Sequence, residues 1–254
     1  MEKREKQRKE RQGFEFENSL GDKGVVTKYV NSYEVYVKFQ DCPFEIKTTW
    51  DCVANKRLKN PYHRGTYGVG YLGIGPYTPC VNGKKTIAYA KWTGMMGRCY
   101  APEYKHSKRS KIKKSYVCEE WHNFQNFAKW HEENYYTINN ESMCLDKDIL
   151  VKNNRIYSPE TCIYAPNRIN VLFTKSEAAR GELPIGVTLH KKRNIYGVKC
   201  SGCYVGEYKT VTEAFDAYKN FKENIIKQVA EDYKDKIPSV LYDAMISYEV
   251  DIND

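Results

Sequence analysis

Residues 185–221, IGVTLHKKRNIYGVKCSGCYVGEYKTVTEAFDAYKNF, restrict the fold more tightly than any other stretch of the chain. Three short runs of β-branched and aromatic residues alternate with turn residues, the signature of an antiparallel meander. Thr210-Val211-Thr212-Glu213 then reads as a capping box, in which the Thr210 hydroxyl accepts the Glu213 amide and the Glu213 carboxylate returns the bond. Ala214, Phe215, Tyr218, Phe221, Ile225 and Val229 follow at helical spacing. The pattern predicts a three-stranded sheet backed by a helix. Its first strands and loop carry His190, Lys191, Lys192, Arg193 and Lys199, interleaved with Tyr196. Cations and aromatics on one face of a small sheet suit contact with duplex DNA.

The charge balance agrees. Lys plus Arg number 41 against 32 Asp plus Glu, a formal net charge of +9, which favours a polyanionic partner. Residues 104–115, YKHSKRSKIKKS, are strongly basic, and Lys108, Arg109, Lys111, Lys113 and Lys114 are candidate phosphate contacts. The 22 tyrosines suit either stacking on bases or a tyrosine-rich β core. The sequence contains no apolar run long enough to span a membrane, and no apolar stretch follows the charged start MEKREKQRKER. Nine cysteines, an odd number, point to reduced thiols in a cytoplasm. Cys200-Ser201-Gly202-Cys203 reads as a hairpin turn more readily than as half a zinc site.

The chain reads as an α+β protein with five segments. Residues 1–12 form a charged arm. Residues 13–60 form a small N-terminal β module, with strands expected at Gly24–Val30, Tyr33–Phe39 and Phe44–Thr49 and a short helix from Trp50 toward Asn60. Residues 61–85 form a Gly-rich connector. Its Gly68, Gly70 and Gly73 mimic a dinucleotide fingerprint without the surrounding βαβ unit. Residues 86–175 form a central block, and residues 176–254 hold the sheet and its helices. In the central block, helices are expected over Ile87–Tyr100, over Val117–Glu133 and over Ile163–Phe173. Ile237-Pro238 opens a last amphipathic segment carrying Leu241, Ala244, Met245 and Tyr248.

An ordered set of residues stands out in the central block. It runs Trp92, Met95, Arg98-Cys99-Tyr100, then Val117-Cys118-Glu119-Glu120-Trp121, Phe124, Phe127 and Trp130. Leu145-Asp146-Lys147-Asp148, Tyr157-Ser158-Pro159-Glu160-Thr161-Cys162, Asn167 and Asn170 complete it. This block resembles a phage-type branch of the HNH, or His-Me finger, endonucleases. The resemblance implies a ββα core with flanking helices and a DNA-hydrolysing site using one magnesium or manganese ion. It assigns catalytic positions to Lys147, Asp146 and Asn170, and metal-ligand positions to Asp146, Asp148 and Asn153. Lys147 stands where the family carries its general-base histidine, and a protonated amine is a poor base. Cys99, Cys118, Cys144 and Cys162 could meet as a structural zinc site or lie as buried thiols.

The C-terminal segment resembles the APETALA or ethylene-response-factor DNA-binding domain, which also occurs beside HNH cores in phage proteins. Gly186-Val187, Tyr196-Gly197-Val198-Lys199, Val205-Gly206-Glu207-Tyr208 and Thr212-Glu213-Ala214-Phe215-Asp216-Ala217-Tyr218 carry the likeness. The resemblance implies that the sheet enters the major groove, with Thr188, His190, Lys192, Lys199 and Tyr204 directed at DNA. Plant members have arginines near Thr188 and His190 and a tryptophan near Tyr204, so base preference here must differ. Two functions follow as expectations. One is a bacteriophage or prophage double-stranded DNA-binding protein, with or without nuclease activity. The other is a non-catalytic interaction protein, for example an inhibitor of a host defence complex. Both imply the cytoplasm of a bacterial host and no membrane.

Overall fold

The structure is a computed structural model that describes residues 2–101, 115–139, 141–174 and 183–252. It is an α+β protein that divides into two compact units. One comprises residues 1–100 and 119–129, the other residues 101–118 and 130–254. The division runs through the 86–175 block, so that block is not a compact body by itself.

The first unit opens with helix α1 (Glu2–Arg11) and an antiparallel four-stranded meander in the order β1 (Glu15–Glu17), β2 (Lys23–Asn31), β3 (Glu34–Phe39), β4 (Ile46–Thr48). In β3 strict alternation sends Val35, Val37 and Phe39 inward. Strand β2 needs a bulge between Val26 and Lys28, which lets Val26 and Tyr29, three residues apart, both face the core. Phe16 lies across Gly24, where an added Cβ would sit 2.7 Å from its ring. Helix α2 (Trp50–Ala54) closes the module under a Thr49 cap and is shorter than expected.

The same unit continues with a two-residue ladder between β5 (Cys80–Val81) and β6 (Lys84–Lys85) and helix α3 (Ile87–Tyr100). Thr86 caps α3 by accepting the Tyr89 amide. Trp92, Met95, Met96 and Cys99 are buried along α3, as their spacing predicts. The Gly-rich 61–85 segment is more than a connector. Tyr71 exchanges backbone bonds with His122 and Phe124, and the Gln125 amide bonds to Leu72 O, Tyr77 O and Tyr77 N. Gly73, at φ +70°, and Gly75 pass so close to Asn123 and Gln125 that a Cβ would fall 2.1 Å and 2.3 Å from their side-chain oxygens. Glycine here permits close approach of the backbone, not a phosphate cradle.

The 117–133 segment departs from the single helix expected. It is strand β7 (Tyr116–Val117), a 3₁₀ turn at Glu119–His122 and helix α4 (Phe124–Asn134). Asn123 starts α4 by accepting the Gln125 amide.

The second unit holds β7 paired in parallel with β9 (Ile156–Tyr157), and β8 (Met143–Asp146) paired antiparallel with β10 (Ile163–Pro166). Helix α5 (Asn167–Phe173) follows β10 and packs on both strands of that pair, giving a ββα arrangement. The helix expected over Ile163–Phe173 is therefore half strand. All four residues of β10 are buried, so no alternation marks it, and Pro166 ends the strand where the helix begins.

Strands β11 (Val187–His190), β12 (Ile195–Cys200) and β13 (Cys203–Tyr208) form the antiparallel C-terminal sheet. The hairpin tip has Ser201 at φ 49° and Gly202 at φ 82°, the left-handed pair that a two-residue turn requires. Helix α6 (Val211–Tyr233) carries the expected capping box, with both reciprocal bonds present. Its first half, Ala214, Phe215 and Tyr218, packs on Val187, Val198 and Cys200 of the sheet. Its second half, Ile226, Val229, Ala230 and Tyr233, packs on Ile163, Ala165 and Ile169 of the ββα layer and on Leu241 and Met245 of helix α7 (Ser239–Ile246). One 23-residue helix thus serves two cores and makes them a single unit. Among the described residues, no helix is long and apolar enough to cross a membrane.

Candidate nucleic-acid interface

Strand alternation and one irregularity decide what the C-terminal sheet presents outward. Thr188 pairs with Gly197, and Gly197 with Glu207; Lys199 pairs with Tyr204. Thr188, His190, Lys199, Tyr204 and Glu207 are exposed, whereas Val187, Val198 and Cys200 are buried under α6. Tyr204 and Glu207 are three apart and would face opposite sides in a regular strand. The register shift between Val198 and Lys199 leaves Val205 as an extra residue and turns both outward. Gly197 makes room on the same face: the His190 ring lies over it, its Nε2 2.5 Å from where a Cβ would stand.

Charges on this face are partly paired. Arg193 grips Glu207 through both guanidinium nitrogens, Nη1 to Oε2 at 2.7 Å and Nη2 to Oε1 at 2.5 Å. That fork holds the Glu207 carboxyl below its ordinary range. Burial and the Glu207 charge raise the Tyr204 phenol, which stays a neutral hydrogen-bonding group at 58 % exposure. Lys191 and Lys192 are exposed in the turn that Asn194 closes at φ 51°. Lys199 lies opposite Tyr204 in the pairing, so a lysine and a tyrosine are cross-strand neighbours on this face.

Of the DNA-contacting residues expected here, Thr188, His190, Lys192, Arg193, Lys199 and Tyr204 lie on exposed positions of the sheet and its turn. Tyr196 is a correction. It pairs with Leu189 and Tyr208 and packs against the α6 side of the sheet, because its neighbour Gly197 faces outward and successive residues alternate. Glu207, part of the family likeness, also sits within the face. Its signal was the alternation of β13, hidden by the bulge. Lys108, Arg109, Lys111, Lys113 and Lys114 lie outside the described residues.

The ββα layer has a different character. Asp146, at the end of β8, accepts the amides of Asp148 (2.7 Å) and Ile149 (2.8 Å) with Oδ1, so it caps the turn that follows. Burial raises its carboxyl above the ordinary value, while the two amides pull the other way. Lys147 is only 8 % exposed. Its ammonium donates to Asp148 Oδ2 at 2.6 Å and to the Asn154 carbonyl at 2.8 Å, and lies 5.7 Å from the centre of the Tyr157 ring. Asn154 ties the loop from the other side, donating to Lys147 O and Ile156 O and accepting from Ile156 N. Asn153 is exposed in the left-handed region at φ 62°, which asparagine tolerates. Asn170 is half-buried on α5, its carbonyl capped by Thr174.

The groups expected to hold a divalent ion are engaged with one another and with backbone. Of the two carboxylates expected to converge on a metal, Asp146 gives Oδ1 to two amides and Asp148 gives Oδ2 to the Lys147 ammonium. Lys147 closes a loop; it is not poised as a base. Among the described residues no group of three or more His, Cys, Asp or Glu could hold a metal. Cys162 is buried in the second unit with its thiol pushed up to about 12, mainly by desolvation. His131, which the spacing did not single out, is buried and hydrogen-bonds Tyr164 of β10 through Nδ1 at 2.8 Å, stacked on Tyr135. Compared with known proteins, the chain matches no family model, no curated protein and no solved structure.

Proposed function

We propose that the protein binds double-stranded DNA through the outer face of β11–β13, and that its ββα layer is a scaffold for that sheet instead of a nuclease centre. The carrying observation is the shared exposure of His190, Lys199 and Tyr204 on one side of the sheet, with Lys191 and Lys192 in the adjoining turn. A narrow, cation-bearing sheet face fits a major groove, and lysines beside it meet phosphates at the rim. The scaffold reading rests on Lys147, whose ammonium is already engaged by Asp148 and Asn154. On this reading it is a phage or prophage protein that works in the cytoplasm of a bacterial host.

The test is fluorescence anisotropy on a duplex of about 30 base pairs, enough for a whole module's footprint. Affinity is expected to fall with salt by ~0.9 log units per log unit for each phosphate contact, and Lys199→Ala to lower that slope by about one. Unmeasurable binding at low salt ends the proposal. Supercoiled plasmid with magnesium or manganese is expected to stay uncut; cleavage lost in Asp146→Ala overturns the scaffold reading.

A second reading, a non-catalytic protein that docks on a partner such as a host defence complex, draws on the Arg193–Glu207 fork. A guanidinium closed on its own carboxylate is poorly available to a base edge. A host partner retained after nuclease treatment of a pull-down favours it.

A further inference from the structure

Helix α1 is built from charged and amide side chains alone, EKREKQRKER, and has no apolar residue to bury. It is nevertheless attached to the β module, and the attachment is chemical in kind. From Gly13 onward the chain is held by backbone bonds, Gly13 N to Val26 O and Val26 N to Phe14 O, both 2.9 Å. Before Gly13, among the described side chains, the tie is that of Arg11. Its guanidinium carbon lies 4.3 Å from the Trp50 ring centre and 5.2 Å from that of Tyr29. Its Nη1 donates to the Tyr29 hydroxyl at 2.7 Å, and that hydroxyl is 3.2 Å from Ser32 Oγ, which can take its proton. Phe14 meets Trp50 edge-on at 5.4 Å, and Tyr29 meets Trp50 edge-on at 6.0 Å. Among the described residues, this is the hydrogen bond that joins an α1 side chain to the sheet.

We infer that Tyr29 and Trp50, with Phe14 edge-on to the indole, form a cage for a cationic side chain, that arginine is the class it fits, and that α1 is an internal plug displaced by an arginine-bearing segment of another polypeptide. Two features select a guanidinium over an ammonium. A planar cation can stack on the indole at this distance, and the Tyr29 oxygen accepts an in-plane N–H at the same time. Two features make the plug displaceable. The remaining described side chains of α1 are exposed except the half-buried Gln7, so little apolar surface leaves water when the arm docks. Gly13, at φ +81°, supplies a residue that can change conformation without a side-chain penalty where the arm meets the sheet. The exposed carboxylates of Glu15 and Glu17 on edge strand β1 favour an incoming basic segment.

The plug lowers apparent affinity by the fraction of time the cage is open. The experiment uses the full chain and N-acetyl-arginine amide as probe, read by the Trp50 indole N–H resonance. Arg11→Ala is expected to bind the probe with a Kd on the order of 1 mM, and the wild type about 100-fold more weakly. Tyr29→Phe in the Arg11→Ala background is expected to weaken binding about tenfold, and N-acetyl-lysine amide to bind less well than the arginine probe. If Arg11→Ala loses the fold, Arg11→Gln keeps a long polar stem without the charge and carries the same readout. No shift of the Trp50 signal in a folded variant overturns the cage. Equal affinity in variant and wild type overturns the plug. Equal affinity for arginine and lysine probes overturns the ligand class.

Discussion

Replacing Lys147 with methionine separates a structural ammonium from a catalytic one. The Nζ atom makes two charge-assisted bonds, at 2.6 Å to Asp148 and 2.8 Å to the Asn154 carbonyl. A hydrogen bond to a charged group contributes ~1.5–3 kcal/mol when shielded from solvent. The Asp148 side chain is 45 % exposed, so its share falls toward the ~0–1 kcal/mol of a surface pair. The Asn154 carbonyl, half-buried, keeps most of its share. Relief from desolvating the ammonium offsets part of the loss, and methionine preserves the stem's packing. The expected net cost is about 2 kcal/mol. Urea unfolding of the full chain, followed through the second unit by near-UV signal, should show the midpoint of that unit fall by roughly 1 M. Asp148→Asn should cost less, about 0.5 kcal/mol. A midpoint that stays put or rises in Lys147→Met would refute the reasoning, because an ammonium held for chemistry sits at a cost to stability and its removal is neutral or favourable.

Three further outcomes follow from the same coordinates. Asp146 has its carboxyl raised by burial, so just above the ordinary carboxylate range the folded chain holds this proton more tightly than the unfolded chain does. Its contribution is present below the ordinary carboxylate range and is lost as pH rises through the raised value; Asp146→Asn, which keeps an acceptor for the Asp148 and Ile149 amides, should therefore gain on the wild type at pH 7 relative to pH 3 in chemical unfolding. Gly73→Ala forces a Cβ to 2.1 Å from Asn123 Oδ1 at φ +70° and should displace the residue that starts α4; a loss of ~2–3 kcal/mol in unfolding of the first unit is expected, and a change under about 0.5 kcal/mol would count against the close approach. Thiol labelling of the native protein should modify the exposed Cys80 and Cys203 quickly, while Cys162, pushed up to about 12 and buried, reacts only on unfolding; rapid labelling of Cys162 would show that its burial is wrong.

Legibility followed the range of the forces involved. Helix α3 was readable because Trp92, Met95, Met96 and Cys99 recur at the helical period, and its structure spans the expected residues. The Thr210–Glu213 box and the Ser201-Gly202 turn were readable because their hydrogen bonds and backbone angles involve residues within three positions of one another. Strand β10 was not, since burial on both faces erases alternation. Nor was the candidate interface in full: Tyr196 lies on the helix side of the sheet, and the bulge at Val205 that brings Glu207 onto the face of Tyr204 leaves no mark in residue type. The amide of Gln125 and the ring of His131 find partners 48 and 33 residues away, beyond any local pattern.

What the chain determines by itself is therefore the set of local elements. These are the α+β alternation, the capped helix behind a three-stranded meander, and the surplus of positive charge, each the consequence of side-chain period, turn geometry or composition. The tertiary structure alone decides which charges remain available. Arg193 closes on Glu207, Lys147 closes on Asp148 and Asn154, and Arg11 is taken up by Trp50 and Tyr29, whereas Lys199 stays exposed beside Tyr204. The physical reason is that the pairing of a charge depends on which distant residues the packed elements bring within about 3 Å, and no periodicity in the sequence encodes that distance.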